Sequence, residues 1–326
     1  MLEEKKDNND DKINIEDDDN SKIVPKIPPL FTGLASVILI FILYQLAGSA
    51  IFLLIFGADV LNISKFSAYD INMFRLLTIG GQILFMLFPT LVITKYVYKD
   101  VTAILRVKRP KIFEIMLFFA GFVLLTPLLQ YIMAFQTYIV EYLAKSNTTL
   151  YNIKQFLDSM NSSLDDVYNK VMIANNPLEY FGIILFAAVT PAICEEFLFR
   201  GLVQKSFEMR FKVGTAIFIT AFIFSVYHFN PYGLLPLILL AMYFGYSVYL
   251  SKSIIISMLL HFINNFFSIT VMNVFRDKLG KETEVFTQGN IYSDLFTFVI
   301  ILIIFILLMR YIFNYYKKQT IITEAI

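Results

Sequence analysis

The chain has 326 residues, of which 57% are hydrophobic and only 16% are charged, and its mean hydropathy is +0.66. This composition lies outside the range of soluble globular domains and is typical of a polytopic membrane protein. A net charge of +1 argues against a nucleic-acid partner, and a single cysteine, Cys194, excludes an intrachain disulfide framework.

The N-terminal stretch differs from the rest of the chain because it is polar and acidic. Residues 1–29 contain no apolar segment of the kind found in a signal peptide. They predict a disordered acidic tail on the cytoplasmic side, which ends in the stiff prolines Pro25, Pro28 and Pro29.

Residues 30–316 form the predicted transmembrane domain, since a bilayer core of about 30 Å requires about 20 apolar residues per helix. The predicted fold class is all-α, a polytopic membrane helix bundle with about eight transmembrane helices and a polar cavity within the bundle. The predicted spans are 30–56, 71–94, 112–140, 178–204, 213–229, 233–250, 253–274 and 293–313.

Charges in the connections predict the orientation. Basic residues crowd the segments 95–111 and 205–212, which places both in the cytoplasm by the positive-inside rule. Both termini are then cytoplasmic, with residues 317–326 as a short tail. The abundance of Ile, Asn and Lys is typical of an AT-rich genome and indicates a bacterial plasma membrane.

The single long connection, residues 141–177, repeats apolar residues at helical spacing between Leu150 and Val171. This pattern predicts an amphipathic extracytoplasmic helix that lies on the membrane surface or covers the bundle. A passive cover is favoured over a substrate gate.

Two adjacent carboxylates and an arginine interrupt the fourth span. Ionisable groups inside a membrane are costly and therefore indicate function by default. Glu196 and Arg200 are four residues apart on one helical face, which predicts an ion pair. Glu195 points about 100° away from Glu196. It lacks that partner and is free to do chemistry.

Both histidines of the chain, His228 and His261, fall inside predicted spans. A neutral imidazole can donate from one ring nitrogen and accept at the other without carrying a permanent charge. Asn265 follows His261 by one turn, and Phe224 precedes His228 by one turn, where it would form a pocket wall. Each residue alone would suggest an interhelical contact. Together with Glu195 they supply the groups needed to hydrolyse an acyl bond.

These residues form three motifs in a fixed order between residues 177 and 273, in a core predicted from the fourth, fifth and seventh spans. The arrangement resembles the CPBP family of intramembrane glutamic endopeptidases, also called the Abi or CAAX-protease family. The motifs are Glu195-Glu196-x-x-x-Arg200, Phe224-x-x-x-His228 and His261-x-x-x-Asn265.

The resemblance implies an endopeptidase that cleaves a membrane-associated peptide or protein in the lipid bilayer without a cofactor. Glu195 would be the general base and His228 would help to hold the attacking water. His261 and Asn265 would donate hydrogen bonds to the oxyanion. The residues implied to support the site are Glu196, Arg200 and Phe224.

Other functions remain open on the sequence alone. Glu195, His228 and His261 could instead bind zinc, although no His-Glu-x-x-His motif is present. A Cys194 nucleophile is disfavoured, because this residue points to a different helical face from Glu195. A non-proteolytic regulatory or bacteriocin-immunity protein is an alternative from another class. A transporter is a third option, but polar residues in the spans are concentrated in the C-terminal half, with no sign of two related halves.

Overall fold

The computed structural model describes residues 23–57, 63–275 and 291–324. This part of the chain is almost wholly helical and contains no strand, which confirms the all-α class. Apart from single turns such as Val101–Ile104, the described helices are α1 Pro29–Phe56, α2 Ala68–Tyr98, α3 Ile112–Ser146, α4 Thr148–Val171, α5 Pro177–Glu208, α6 Val213–Tyr227, α7 Leu234–Ser251, α8 Ile254–Val274 and α9 Ile291–Glu324. Of the predicted N-terminal tail, residues 1–22 lie outside the described part, and α1 begins at Pro29.

Seven of the described helices are long and apolar enough to cross a membrane: α1, α2, α3, α5, α7, α8 and α9. Together with the shorter apolar helix α6 they form a polytopic helix bundle, and the chain is an integral membrane protein. The predicted fifth span, 213–229, was too long. Helix α6 has 15 residues and ends at Tyr227. At 1.5 Å per residue it measures about 22 Å, less than the hydrocarbon core.

The reason for this difference lies in the turn that follows α6. His228 is a single polar residue followed by the apolar Phe229, so an average over hydropathy carries the span through both residues. Phe229 adopts a φ of +49°, in the left-handed region, and this conformation stops the helix. The turn 228–233 then leads directly into α7, which packs antiparallel to α6.

The amphipathic connection is confirmed as helical. α3 continues to Ser146, six residues beyond the predicted end of its span at residue 140. After Asn147, whose side chain caps the next helix by accepting from the N–H groups of Thr149 and Leu150, the chain forms α4. Helix α4 is not among the candidate spans.

Helix α5 lies at the centre of the bundle, and a ladder of polar side chains fixes its position. Gln204 donates to the carbonyl of Gly245 on α7 at 3.0 Å and to Glu208 at 2.8 Å. A Cβ on Gly245 would lie 2.7 Å from the Gln204 carboxamide, so glycine permits this close approach. Glu208 in turn pairs with Arg106. The buried members of the ladder on α5, each four residues after the last, are Glu196, Arg200, Gln204 and Glu208.

In the described part of the chain, four π-helical turns interrupt helices α1, α2 and α5. They lie at Leu43–Ala47 in α1, Ile83–Leu87 in α2, and Leu185–Val189 and Phe197–Val203 in α5. Such wide turns are rare and often occur at functional sites, because they offset the register of the helix and redirect its side chains.

Candidate active site

A cavity of about 620 Å³ lies among helices α2 to α8 and the turn after α6. All four residues predicted to be catalytic line this one cavity: Glu195, His228, His261 and Asn265. Phe224 lines it as well, as predicted for a wall residue.

Glu196 is fully buried and joins α5 to α8. Its Oε1 accepts a hydrogen bond from Nη1 of Arg200 at 2.9 Å, as the spacing of four residues predicts. The same oxygen faces Nδ1 of His261 at 2.9 Å, a contact that the sequence did not predict. The Arg200 guanidinium is 1% exposed and lies over the ring of Phe224 at 4.3 Å. The charge of Glu196 is therefore compensated within the protein, which is what a buried carboxylate requires.

Glu195 has a different environment, although it is the preceding residue. Its side chain is 15% exposed and lines the cavity. Within the described residues its Oε2 has no hydrogen-bond partner. This oxygen lies 3.9 Å from Nε2 of His261, too far for a direct hydrogen bond. Two adjacent carboxylates thus have distinct chemistry, since one is neutralised by its partners and the other faces the cavity.

The contacts of His261 determine its protonation pattern. Nδ1 faces the Glu196 carboxylate, so this nitrogen carries a hydrogen, and Nε2 is the ring atom directed towards Glu195. A carboxylate on one nitrogen orients an imidazole and increases the basicity of the other. His261 is 4% exposed and is held in this orientation by its burial.

His228 occupies the first position after α6 and is oriented by the end of that helix. Its Nδ1 lies 2.9 Å from the carbonyl oxygen of Phe224, an acceptor, which leaves Nε2 as the acceptor nitrogen of a neutral ring. The ring of Phe224 lies 4.6 Å from the His228 ring and 6.2 Å from the His261 ring. Phe224 therefore packs against both imidazoles.

Asn265 is held by a widened turn of α5. Its Nδ2 donates to the carbonyl of Ala187 at 2.9 Å, inside the π-helical turn Leu185–Val189. Its Oδ1 accepts from Nδ2 of Asn264 at 3.1 Å. Asn264 also lines the cavity and was not predicted, because its helical face differs from that shared by His261 and Asn265.

The cavity extends further into the N-terminal half than predicted. The expected core used only the fourth, fifth and seventh spans, whereas α2, α3 and α4 also contribute polar side chains. Burial raises the pKa of the Tyr168 hydroxyl on α4, and the negative charge of Glu195 raises it further. The polar lining residues that the sequence did not identify are Thr78, Gln82, Thr126, Gln130, Tyr168, Asn230, Asn264 and Ser268.

The geometry also bears on two alternative chemistries. In the described part of the chain, no three His, Cys, Asp or Glu side chains form a group that could hold a metal ion. Cys194 is 1% exposed and packs in an apolar cluster with Val37, Leu198 and Phe199 rather than on the cavity wall. A thiol in that position does not face the other predicted catalytic groups.

Comparison with known protein families gives a match in the C-terminal half. Residues 177–267 match the family described as type II CAAX prenyl endopeptidase Rce1-like. The matched segment contains all three sequence motifs and confirms the resemblance over that stretch. It supports a CAAX-type intramembrane protease, a hydrolase. No curated protein and no solved structure matches the chain.

Proposed function

We propose that the chain is an intramembrane endopeptidase in which a glutamate-activated water cleaves a peptide bond of a membrane-associated peptide or protein. The observation that carries the proposal is the contrast between the two adjacent glutamates. Oε1 of the fully buried Glu196 contacts Arg200 and His261 at 2.9 Å each, whereas Glu195 lines the cavity and its Oε2 is 3.9 Å from Nε2 of His261. In the described structure Oε2 of each carboxylate is without a donor. One carboxylate is occupied, and the other is available as a base.

Glu195 takes a proton from water as the water oxygen attacks the scissile carbonyl carbon. The new C–O bond gives a tetrahedral intermediate, and the proton then passes from Glu195 to the amine nitrogen as the C–N bond breaks. Nε2 of His228 accepts a hydrogen bond from the second hydrogen of the water, because Nδ1 is directed to the Phe224 carbonyl. Such proton transfer contributes about 10²–10⁴-fold to the rate.

The oxyanion is stabilised from α8. Asn265 uses one Nδ2 hydrogen for the Ala187 carbonyl, and the amide has a second hydrogen to donate. His261 donates from Nε2 only as an imidazolium, because Nδ1 is bound to Glu196. Loss of one oxyanion donor typically costs about 10²–10³-fold in kcat.

The orientation and location belong to the same proposal. Basic residues in the segments 95–111 and 205–212 support a cytoplasmic position for these connections, and hence for both termini. The composition supports a bacterial plasma membrane.

The test is cleavage of a quenched fluorescent peptide library by the purified protein in detergent, with and without EDTA and phenanthroline. Glu195→Gln keeps the side-chain volume and removes the base, so we expect turnover to fall by at least about 10²-fold. Glu141→Gln, an exposed glutamate outside the cavity, is the matched control and should cleave like the wild type.

Each outcome separates one mechanism from another. Activity that survives the chelators and is lost in Glu195→Gln supports the glutamate mechanism. Normal turnover by Glu195→Gln rejects it. Activity that the chelators abolish would instead assign Glu195, His228 and His261 to a zinc site.

A further inference from the structure

Asn264 on α8 is a polar cavity residue to which the proposed reaction gives no role. It precedes Asn265, and its Nδ2 donates to Oδ1 of that residue at 3.1 Å. Asn265 in turn donates from Nδ2 to the carbonyl oxygen of Ala187 on α5 at 2.9 Å. The carboxamide of Asn265 is therefore held at both its oxygen and its nitrogen.

The contact at the nitrogen has its origin in the sequence of α5. In an α-helix the carbonyl of Ala187 would accept from the N–H of the residue four positions later. That residue is Pro191, which has no N–H. Asn265 supplies a hydrogen in place of the one that Pro191 cannot give. Because a carbonyl oxygen can only accept, Nδ2 and not Oδ1 is the atom of Asn265 that faces Ala187.

The contact at the oxygen adds to this preference for one orientation. The last torsion of an asparagine side chain is broad and roughly two-fold, so only contacts that distinguish oxygen from nitrogen fix the carboxamide. A reversed carboxamide would place Oδ1 where Nδ2 now lies. An oxygen in that place would repel an oxyanion instead of donating to it. The Nδ2 group of Asn264 can only donate, so it favours the orientation in which Oδ1 faces it.

We propose that Asn264 is a positioning residue. By donating to Oδ1 of Asn265, it keeps the second Nδ2 hydrogen of Asn265 available to the oxyanion. This inference rests on the proposed function. Asn264 acts through Asn265 on a charge that develops during the reaction, so its contribution belongs to kcat and not to KM.

The kinetic experiment compares single and double variants in the peptide cleavage assay. Asn264→Leu keeps the branched shape and removes the donor, so kcat should fall about tenfold, the value of one hydrogen bond, while KM stays unchanged. In an Asn265→Ala background the same change should cost nothing further. Asn152→Leu, at an exposed position on α4 outside the cavity, is the matched control and should cleave like the wild type. An equal loss in both backgrounds, or a change in KM alone, overturns the inference.

A binding measurement separates failure of this inference from failure of the proposed function. A peptide trifluoromethyl ketone is hydrated in water, and its hydrate carries two oxygens on one carbon, as the tetrahedral intermediate does. The analogue with a methylene group in place of the ketone carries neither oxygen, and the protein can cleave neither compound at this position. The chain contains no tryptophan, so a terminal tryptophan on each peptide reports binding by its fluorescence.

The ratio of the two dissociation constants measures what the oxygens contribute. The wild type should bind the ketone more tightly than the methylene analogue, and Asn264→Leu should reduce this preference about tenfold, the value of one hydrogen bond. A reduced preference, found together with a wild type that cleaves no peptide, would reject the protease and support the role of Asn264. A preference that Asn264→Leu leaves unchanged, or no binding of either compound, would overturn the inference.

Discussion

At the scale of single residues, the site depends on two adjacent carboxylates of α5 that have different surroundings. Glu196 contacts Arg200 and His261, while Glu195 faces the cavity. The helical repeat predicted the first contact, because residues four apart share a face. It could not predict the contact with His261, which depends on how α8 packs against α5.

The buried ion pair leads to the first prediction. Removing one partner leaves an uncompensated buried charge, so Glu196→Leu or Arg200→Met should each lower the free energy of unfolding by about 3–5 kcal/mol. The double variant should lose much less than the sum of the two, since it leaves no unpaired charge. Lys154→Met, which breaks the partly exposed pair with Asp158 at the same spacing, should cost about 0–1 kcal/mol.

Cys194 provides the measurement for this prediction. It is the single cysteine of the chain and is 1% exposed, so a thiol-reactive dye reports thermal unfolding without other labelling sites. If the double variant lost as much stability as the two single variants combined, Glu196 and Arg200 would not act as a pair. A loss in Lys154→Met equal to that in Arg200→Met would show that burial does not control the effect.

At the scale of helices, α4 is fixed to the turn that carries His228. The Tyr232 hydroxyl donates to Oδ1 of Asp158 at 2.6 Å, and Nζ of Lys154 donates to Oδ2 at 2.5 Å. At the other end of α4, the Arg75 guanidinium donates to the carbonyl of Val171 at 3.0 Å. These contacts hold α4 in place, and Tyr168 brings it to the cavity wall. Its passive role stays a prediction.

The second prediction concerns Tyr232 as a positioning residue. Tyr232→Phe removes the hydrogen bond to Asp158 and should lower kcat about tenfold, the value of one hydrogen bond, while KM stays unchanged. The loss should disappear in a His228→Ala background, because Tyr232 acts through the turn that carries His228. Tyr151→Phe, exposed on the same helix as Asp158, is the control. A change in KM alone would assign Tyr232 to substrate binding instead.

The pH dependence of this contact follows from Asp158. Hydrogen bonds from Lys154 and then from Tyr232 lower the pKa of its carboxyl group. Because folding lowers this pKa, the contacts of the Asp158 carboxylate stabilise the fold at pH values above its unfolded-state pKa of about 3.9. This stabilisation is lost as the pH falls through the pKa of the folded state. The ratio of wild-type to Tyr232→Phe activity should therefore stay constant from about pH 5 to pH 8.

Local patterns in the sequence predicted most helices and all seven residues of the three motifs, because apolar runs and spacings of four residues are local properties. They failed where the outcome depends on contacts between helices. Gln82 and Gln130 lie singly in apolar runs, and their spacing does not reveal that α2 and α3 turn them towards the cavity that Glu195 lines. The predicted fifth span ended two residues too late for a different reason, since only the left-handed backbone conformation of Phe229 marks the end of α6.

At the scale of the whole molecule, the number of crossings determines which parts of the chain share a side of the membrane. Helix α5 has 32 residues and a length of about 48 Å, so its two ends lie on opposite sides. Four described helices, α6 to α9, follow the end of α5. If all four cross, the connection after α5 and the C-terminal end of α9 are on the same side, even though α6 is short.

The third prediction tests this arrangement by labelling single cysteines in a Cys194→Ser background, which should retain wild-type activity because Cys194 does not line the cavity. An impermeant maleimide applied to intact cells should label Ser163→Cys on α4 and leave Arg210→Cys and Lys318→Cys unlabelled until the cells are permeabilised. We expect this protection because basic residues near both positions indicate the cytoplasmic side of the membrane. If only one of Arg210→Cys and Lys318→Cys were labelled from outside, the number of crossings among α6 to α9 would be odd. Helix α6 would then lie along the membrane surface. If both positions were labelled from outside and Ser163→Cys were protected, the orientation would be the reverse of the predicted one. The end of the cavity that α4 covers would then face the cytoplasm.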